Sequence, residues 1–299
     1  EYYVNSGNAK KINPNFTNVF LLTNTSLGYA YNFTVSLSKK FDFGLNANVA
    51  YNYGESKDVS NGVRNSLAAN FNRNQSINSN DPGLAHSNFD VRHRIISNTD
   101  YSVQLGRGKL TAGALFTLAS GTPFSFIYLG DLNNDGASRN DLIYVPANSS
   151  EIAFDPIVDG GGNVLVTPEE QWQQLDSYIS NDAYLSGRRG DYAERNGART
   201  PWNGQLDLHL AYEFNYQKKK KRTVVVTLDI INFTNLINRN WGRLSFVPNS
   251  SNLSYQLIEL ERVENGTPYY TFNNPGGDPW QVDQLNSRWQ AQLGLRVNI

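Results

Sequence analysis

GDLNNDGASRND, residues 130–141, sets Asp131, Asn133 and Asp135 at alternating positions ahead of Gly136. Oxygen-bearing side chains at loop positions 1, 3 and 5, with glycine at 6, are how a calcium loop of the EF-hand kind begins. The pattern then stops: Leu142 stands at the twelfth position, where a bidentate Glu belongs, and no helix pattern flanks the loop. Asp131, Asn133 and Asp135, with Asn140 and Asp141 further on, still offer hard oxygen donors suited to calcium. The plainer reading is an Asx-rich turn closed by its own side-chain hydrogen bonds. Calcium here would stiffen the start of a long loop; no cofactor is required.

Other chemistry is sparse. His86, His93 and His209 lie at no metal-ligand spacing, and no G-x-S-x-G elbow or other nucleophile context occurs, so an enzyme is not expected. The lysine run Lys218 to Lys221 with Arg222 suggests nucleic acid or anionic lipid, but more simply it is the solvated end of a hairpin. Arg189-Gly190-Asp191 invites an adhesion reading that three common residues in a charged loop do not carry. Trp202, Trp241 and Trp280 are candidate ligand contacts in the loops, against packing of a loop core as the plainer role. The net charge of −1 among 299 residues gives no basic face for nucleic acid. Zero cysteines exclude a disulfide framework, a thiol nucleophile and a cysteine-ligated metal. The opening EYYVNSGN, without Met or a signal peptide, reads as a mature or partial chain.

The elements that must position these residues are strands. Period-2 alternation recurs in seven segments. GYAYNFTVSLSKKF places Tyr29, Tyr31, Phe33, Val35 and Leu37 on one face, and DFGLNANVAYNYG repeats the pattern with Tyr51 and Tyr53. NFDVRHRIISNTDYSVQL, KLTAGALFTLASG, QLDLHLAYEF, TVVVTLDIINF and SRWQAQLGLRVNI complete the set. Strands of roughly 10 to 14 residues exceed the usual soluble length and suffice to cross a bilayer at a tilt. A mean hydropathy of −0.50 and no long apolar run exclude a membrane-spanning helix, not a barrel of half-apolar strands.

The links alternate between short (39–42, 105–108, 215–222) and long (57–87, 129–203, 233–284), so every short turn falls at one end of the sheet and every long loop at the other. That segregation predicts an all-β, antiparallel transmembrane barrel with long external loops, not a soluble sandwich. The apolar face carries Tyr29, Tyr31, Tyr51, Tyr53, Tyr101, Tyr212, Phe214 and Trp289 near strand ends, as interfacial girdles require. Its opposite bears Asp90, Arg92, Arg94, Asp207, Glu213, Arg288 and Arg296, too many charges for a dry core and natural in a wet lumen. TPEEQWQQLDSYISNDAYL predicts a loop helix capped by Thr167, with Pro168 at its first position and Trp172, Leu175 and Ile179 on one face. An odd number of strands does not close a single-chain barrel, and an open edge is not viable in hydrocarbon. Either FTNVFLLTN, residues 16–24, supplies an eighth strand, or the chain is the final part of a larger barrel, which the bulky loops and small polar inner residues favour.

The stretches LTNTSLGYAYNFTVSLSKKFDFGLNANVAYNYGESKDV, FDVRHRII, SGTPFSFIYLGDLNNDGASRNDLIYVP, YLSGRRGDYAERNGARTPW, DIINFTNLINRNWG and SRWQAQLGLRV, in this order, resemble the C-terminal barrel of TonB-dependent outer-membrane receptors of the Oar-like group, which carry a carboxypeptidase-regulatory-like domain ahead of the plug. The resemblance implies a bacterial outer-membrane barrel of 22 strands, of which this chain holds the last seven. It further implies an upstream plug that TonB engages, outer-membrane lipid and lipopolysaccharide against the wall, and a surface lipoprotein as an eligible partner. One departure is Ile299 at the end, where such barrels usually carry an aromatic residue. The expected function is energised import of a solute taken at the loops and lumen; the alternative is a surface adhesion or binding protein that the barrel merely anchors.

Overall fold

A computed structural model of the chain describes residues 15, 19–62, 64–217, 222–248 and 253–298. Seven long strands pair antiparallel in chain order to form the wall: β1 (Tyr29–Lys40), β2 (Leu45–Asp58), β3 (His93–Leu105), β4 (Gly108–Ala119), β8 (Asn203–Gln217), β9 (Arg222–Ile231) and β12 (Gln290–Asn298). The intervening labels belong to four strands of a second sheet: β5 (Pro123–Leu129), β6 (Ala153–Phe154), β10 (Ser254–Glu264) and β11 (Thr267–Thr271), with β7 (Ala198–Arg199) at its edge. All seven wall segments expected from alternation are therefore present.

Register explains why the alternation is so clean. Phe33 faces Tyr53 and Tyr53 faces His93; Ile95 faces Leu118; Leu208 faces Ala114 and Ile230; Leu228 faces Leu293. The same-parity residues of every strand thus join one continuous apolar surface, and Phe33, Leu37, Leu210, Leu293 and Leu295 on it are all exposed. In a soluble protein such a surface would be a gross liability; against hydrocarbon it is the contact face. The other parity is polar: Thr34, Asn52 and Arg94 align, Asp100 faces Gly113, and His209 faces both Gly113 and Asp229, which faces Gln292. A one-residue slip would exchange the faces, so lipid on one side and water on the other fix the register.

The short turns are built by local chemistry. Gly44 sits at φ +98°, and a Cβ there would run into the Ser102 carbonyl, so only glycine closes the β1–β2 turn. Gly106, at φ +59°, begins the two-residue link from β3 to β4. Lys218 to Lys221 of the third turn, and Ile299, lie outside the described residues.

Several boundaries differ from expectation. Of FTNVFLLTN, residues 19–24 belong to no sheet, with Leu21 and Leu22 exposed, and residues 16–18 lie outside the described ones, so no eighth strand is present among the described residues. The loops expected at 57–87, 129–203 and 233–284 run over 59–92, 120–202 and 232–289. PFSFIYL does not continue up the wall. Gly121 breaks the strand where the backbone presses on the Thr200 carbonyl, leaving no room for a Cβ, and β5 leaves as the most buried strand of the molecule. Its run of apolar residues without alternation is the signature of a strand covered on both faces. The wall is an open sheet, β1 and β12 each pairing on one side only among the described residues.

At the long-loop end the second sheet supports a hydrophobic core containing Phe124, Phe126, Tyr128, Leu257, Ile258, Tyr270 and Phe272. Helix α2 (Pro168–Asn181), preceded by a short α1 (Leu67–Phe71), closes this core with Leu175 and Ile179 fully buried and Trp172 partly so. Thr167 and Glu170 form the capping box that starts α2, with Pro168 at the first position. Gln171, also buried, bridges two loop segments by donating to the Asp155 carbonyl (2.6 Å) and accepting from the Phe272 N–H (2.9 Å).

Candidate functional site

The loop layer is held to the wall by five consecutive residues, Arg195 to Arg199. Arg195 is 2 % exposed and donates to Asn74 Oδ1 (2.6 Å), to Asp58 Oδ1 (2.8 Å) and to the Asp58 carbonyl at the end of β2. Asn196 takes the left-handed conformation at φ +57°, donates its amide to the His86 carbonyl (2.7 Å) and Asn88 Oδ1 (2.8 Å), and gives its N–H to Ser125 Oγ of β5 (2.9 Å). Arg199 pairs with the carboxylate of Asp90, which is 1 % exposed and also accepts the Ser56 N–H (2.7 Å) and Arg92 (3.3 Å). A buried carboxylate surrounded by two guanidiniums and a backbone donor is compensated where an isolated one would not be. Asp90 and Arg92 therefore do not line an open lumen: both precede β3 and belong to this joint. Arg288 likewise precedes β12, as does Trp289, exposed at the long-loop end. Arg94, Asp207, Glu213 and Arg296 do lie on the polar face of the wall.

The girdle residues fall into two belts. Tyr29, Tyr31, Tyr51 and Tyr53 lie toward the long-loop end, and Tyr101, Tyr212 and Phe214 toward the short turns. Trp202 joins the first belt: its ring stacks on His93 at 5.6 Å, on the apolar face. Trp280 packs partly buried against the loop core, and Trp241 is exposed in the loop after β9. Arg189 and Asp191 are engaged within the loop, Arg189 with Asp176 of α2 (2.7 Å) and Asp191 with Arg188 (2.7 Å).

Residues 130–141 fold into a compact loop at the exit of β5. Asp131 accepts the N–H groups of Asp135 (3.1 Å) and Gly136 (2.9 Å), Asn133 Oδ1 accepts that of Asp135 (2.9 Å), and Asp135 Oδ1 that of Ala137 (2.8 Å). Asp141 turns the other way, accepting from Leu132 N–H (2.8 Å) and Asn133 Nδ2 (2.6 Å). Asn140 Nδ2 lies 2.8 Å from Asp135 Oδ2 and 3.0 Å from Ser79 Oγ, and Ser79 also bonds Asp135. Ser79 comes from the 59–92 loop, so a donor the sequence reading missed arrives from a distant segment; nothing local signals it. Asn140 is fully buried, yet its Oδ1 has no hydrogen-bond partner. An orphaned buried acceptor costs about 1–3 kcal/mol. Burial pushes the Asp141 carboxyl up to about 7, the charges of Asp135 and Asp131 acting in the same direction, and Asp131 is raised for the same first reason. Among the described residues no three His, Cys, Asp or Glu side chains converge as a metal-holding group; the donors here are carboxylate, amide and hydroxyl oxygens together.

Beside this loop lies a cavity of about 380 Å³ lined by Tyr144, Tyr192, Glu151, Asp131, Thr267 and Pro268 among others. Its only charged lining groups are the two carboxylates, so it disfavours anions. Tyr144 donates to Glu151 (3.0 Å) and meets Tyr192 edge to face at 5.3 Å, a preorganised aromatic corner of the kind that receives the flat face of a ligand.

A family model described as "outer membrane beta barrel domain" matches residues 2–253. The chain belongs to this outer-membrane β-barrel family. Its place is the outer membrane, and the exposed apolar surface of the wall is the barrel's lipid face. No curated protein and no solved structure matches the chain.

Proposed function

We propose that this barrel chain is the C-terminal part of a TonB-dependent receptor: it supplies the last seven strands of a 22-stranded wall, takes a solute at its loop layer and lumen, and passes it to the periplasm using energy delivered through TonB to an upstream plug. In this reading the loops face the cell surface, the short turns face the periplasm, lipid and lipopolysaccharide cover the apolar face, and a surface lipoprotein is an eligible cap. No covalent chemistry is assigned to it. One observation carries the proposal. Seven strands of membrane-crossing length stand with both edges unpaired among the described residues, while the long loops between them are packed into an ordered layer with its own core and cavity. Unpaired edges in hydrocarbon call for more strands. A small eight-stranded anchor would draw its closing strand from residues 16–24, of which 19–24 join no sheet. The cavity's tyrosines and carboxylates suit a neutral or cationic solute such as a sugar or a basic peptide.

The test is uptake. Disruption of the gene should lower accumulation of at least one solute in a panel of glycans, peptides and metal chelates, and loss of TonB should give the same defect. Unchanged uptake of every solute, together with lost attachment of cells to surfaces, would overturn the importer reading in favour of an adhesin.

A further inference from the structure

We propose that the loop at residues 130–141 is a calcium site whose ligands are Asp131, Asn133, Asp135, Asn140 and, from the 59–92 loop, Ser79, and that the ion ties these two loops together. The first support is the side-chain set. Two carboxylates, two amides and a hydroxyl provide hard oxygen donors with two negative charges, matched to calcium and not to a softer metal. The second is independent of the loop's own turns. Asn140 is fully buried with its Oδ1 unpartnered, while its Nδ2 occupies the space between Asp135 Oδ2 and Ser79 Oγ, 2.8 and 3.0 Å away. The amide N–H group here takes the place of a positive charge between two oxygens. Turning the amide about its terminal bond brings Oδ1 to the same place, where three oxygens would face one another with only the Ser79 hydroxyl hydrogen between them, an arrangement that a cation stabilises. The Asn140 acceptor that lacks a donor thus becomes a ligand.

The third support is what the site joins. Ser76 N–H donates to the Asn140 carbonyl (2.9 Å) and Leu142 N–H to the Ser76 carbonyl (3.4 Å), so the two loops already meet backbone to backbone beside the donors. Asp131 also lines the neighbouring cavity, and an ion at the loop would fix that wall. The inference is independent of what, if anything, the barrel imports.

Isothermal titration of calcium into the chelator-stripped, detergent-solubilised full chain tests it, with magnesium as the control ion and heat-modifiable migration on gels as the check of folding. The expected result is one calcium per chain and no comparable magnesium heat. Asp135→Asn should weaken binding about tenfold or more, and Asn140→Leu should abolish it. Asn140→Asp separates the roles of the amide. If Asn140 serves only as a donor to Asp135, that change sets two carboxylates against each other and destroys the loop; if it is a ligand, binding is kept or tightened. Absence of calcium heat in the folded wild-type chain, undiminished binding by folded Asp135→Asn, or loss of binding in folded Asn140→Asp would each overturn the proposal.

Discussion

Single residues decide whether the loop layer stays on the wall. Arg195 is the most consequential: its guanidinium is buried and its partners, Asp58 and Asn74, come from β2 and from the 59–92 loop. Arg195→Leu removes the cation but leaves the acceptors behind, and breaking a buried pair on one side costs about 3 kcal/mol or more. Hydrogen exchange should then accelerate in residues 64–80 and 185–200 while β2 and β3 keep their protection; a uniform increase across the wall would contradict a joint confined to the loops. Gly121 acts by shape alone. Its missing Cβ lets the chain leave β4 against the Thr200 carbonyl, so Gly121→Ala must push β5 away from β7. The expected readout is a lowered unfolding temperature with unchanged membrane insertion, while Gly160→Ala, whose Cβ meets nothing, leaves the temperature unaltered. The amide of Asn140 belongs at this scale too: its Nδ2 meets Ser79 of the 59–92 loop, a contact that no spacing within residues 130–141 foretells.

At the scale of elements, the wall is governed by the difference between its two faces. Leu210 and His209 are neighbours in β8, yet one joins the apolar surface, facing Ala112 and Leu228, and the other bonds Asp229 at 2.6 Å. Leu210→Arg should cost about 2–4 kcal/mol if this point lies near the bilayer midplane, and His209→Arg close to nothing. Urea titration of the protein folded into lipid vesicles measures both; equal costs would mean that the faces are misassigned. This division is what made the wall legible. Every strand obeys the same period because lipid and water impose it residue by residue, and α2 was legible because Thr167, Pro168 and Glu170 write its start locally. β5 was not legible. Its apolar run carries no period, and its main partner, β10, lies more than a hundred residues away and pairs parallel, a match that no turn chemistry announces. Asp90 and Arg92 were assigned to the lumen because the alternation of β3 extends backward through them, although the strand itself begins at His93. Sequence parity cannot say where a strand begins when a buried ion pair precedes it.

For the whole molecule, the parallel pairing has a simple origin. β4 and β9 both leave the wall at its long-loop end, so β5 and β10, which follow them, run side by side in the same direction, Ser125 beside Ser254 and Phe126 beside Tyr255. β11 then returns antiparallel on β10 and lies parallel to β6, which leaves the two long loops with one sheet and one core between them. Neither loop can bury its apolar residues alone: Phe124, Phe126 and Tyr128 need Leu257, Ile258 and Phe272 as much as the reverse. The wall, by contrast, does not need the layer, since β4 pairs with β8 along its full length and β9 with β12. Replacing residues 253–272 with a short glycine-serine link should therefore leave an inserted, heat-modifiable protein in which protease cuts within residues 123–199, a segment untouched by the deletion. The cavity beside Tyr144 should be lost with it, because Pro268 and Tyr270 form part of its lining. If residues 123–199 remained resistant, the loops would be two independent units, and a solute site on one of them could not be shaped by the other.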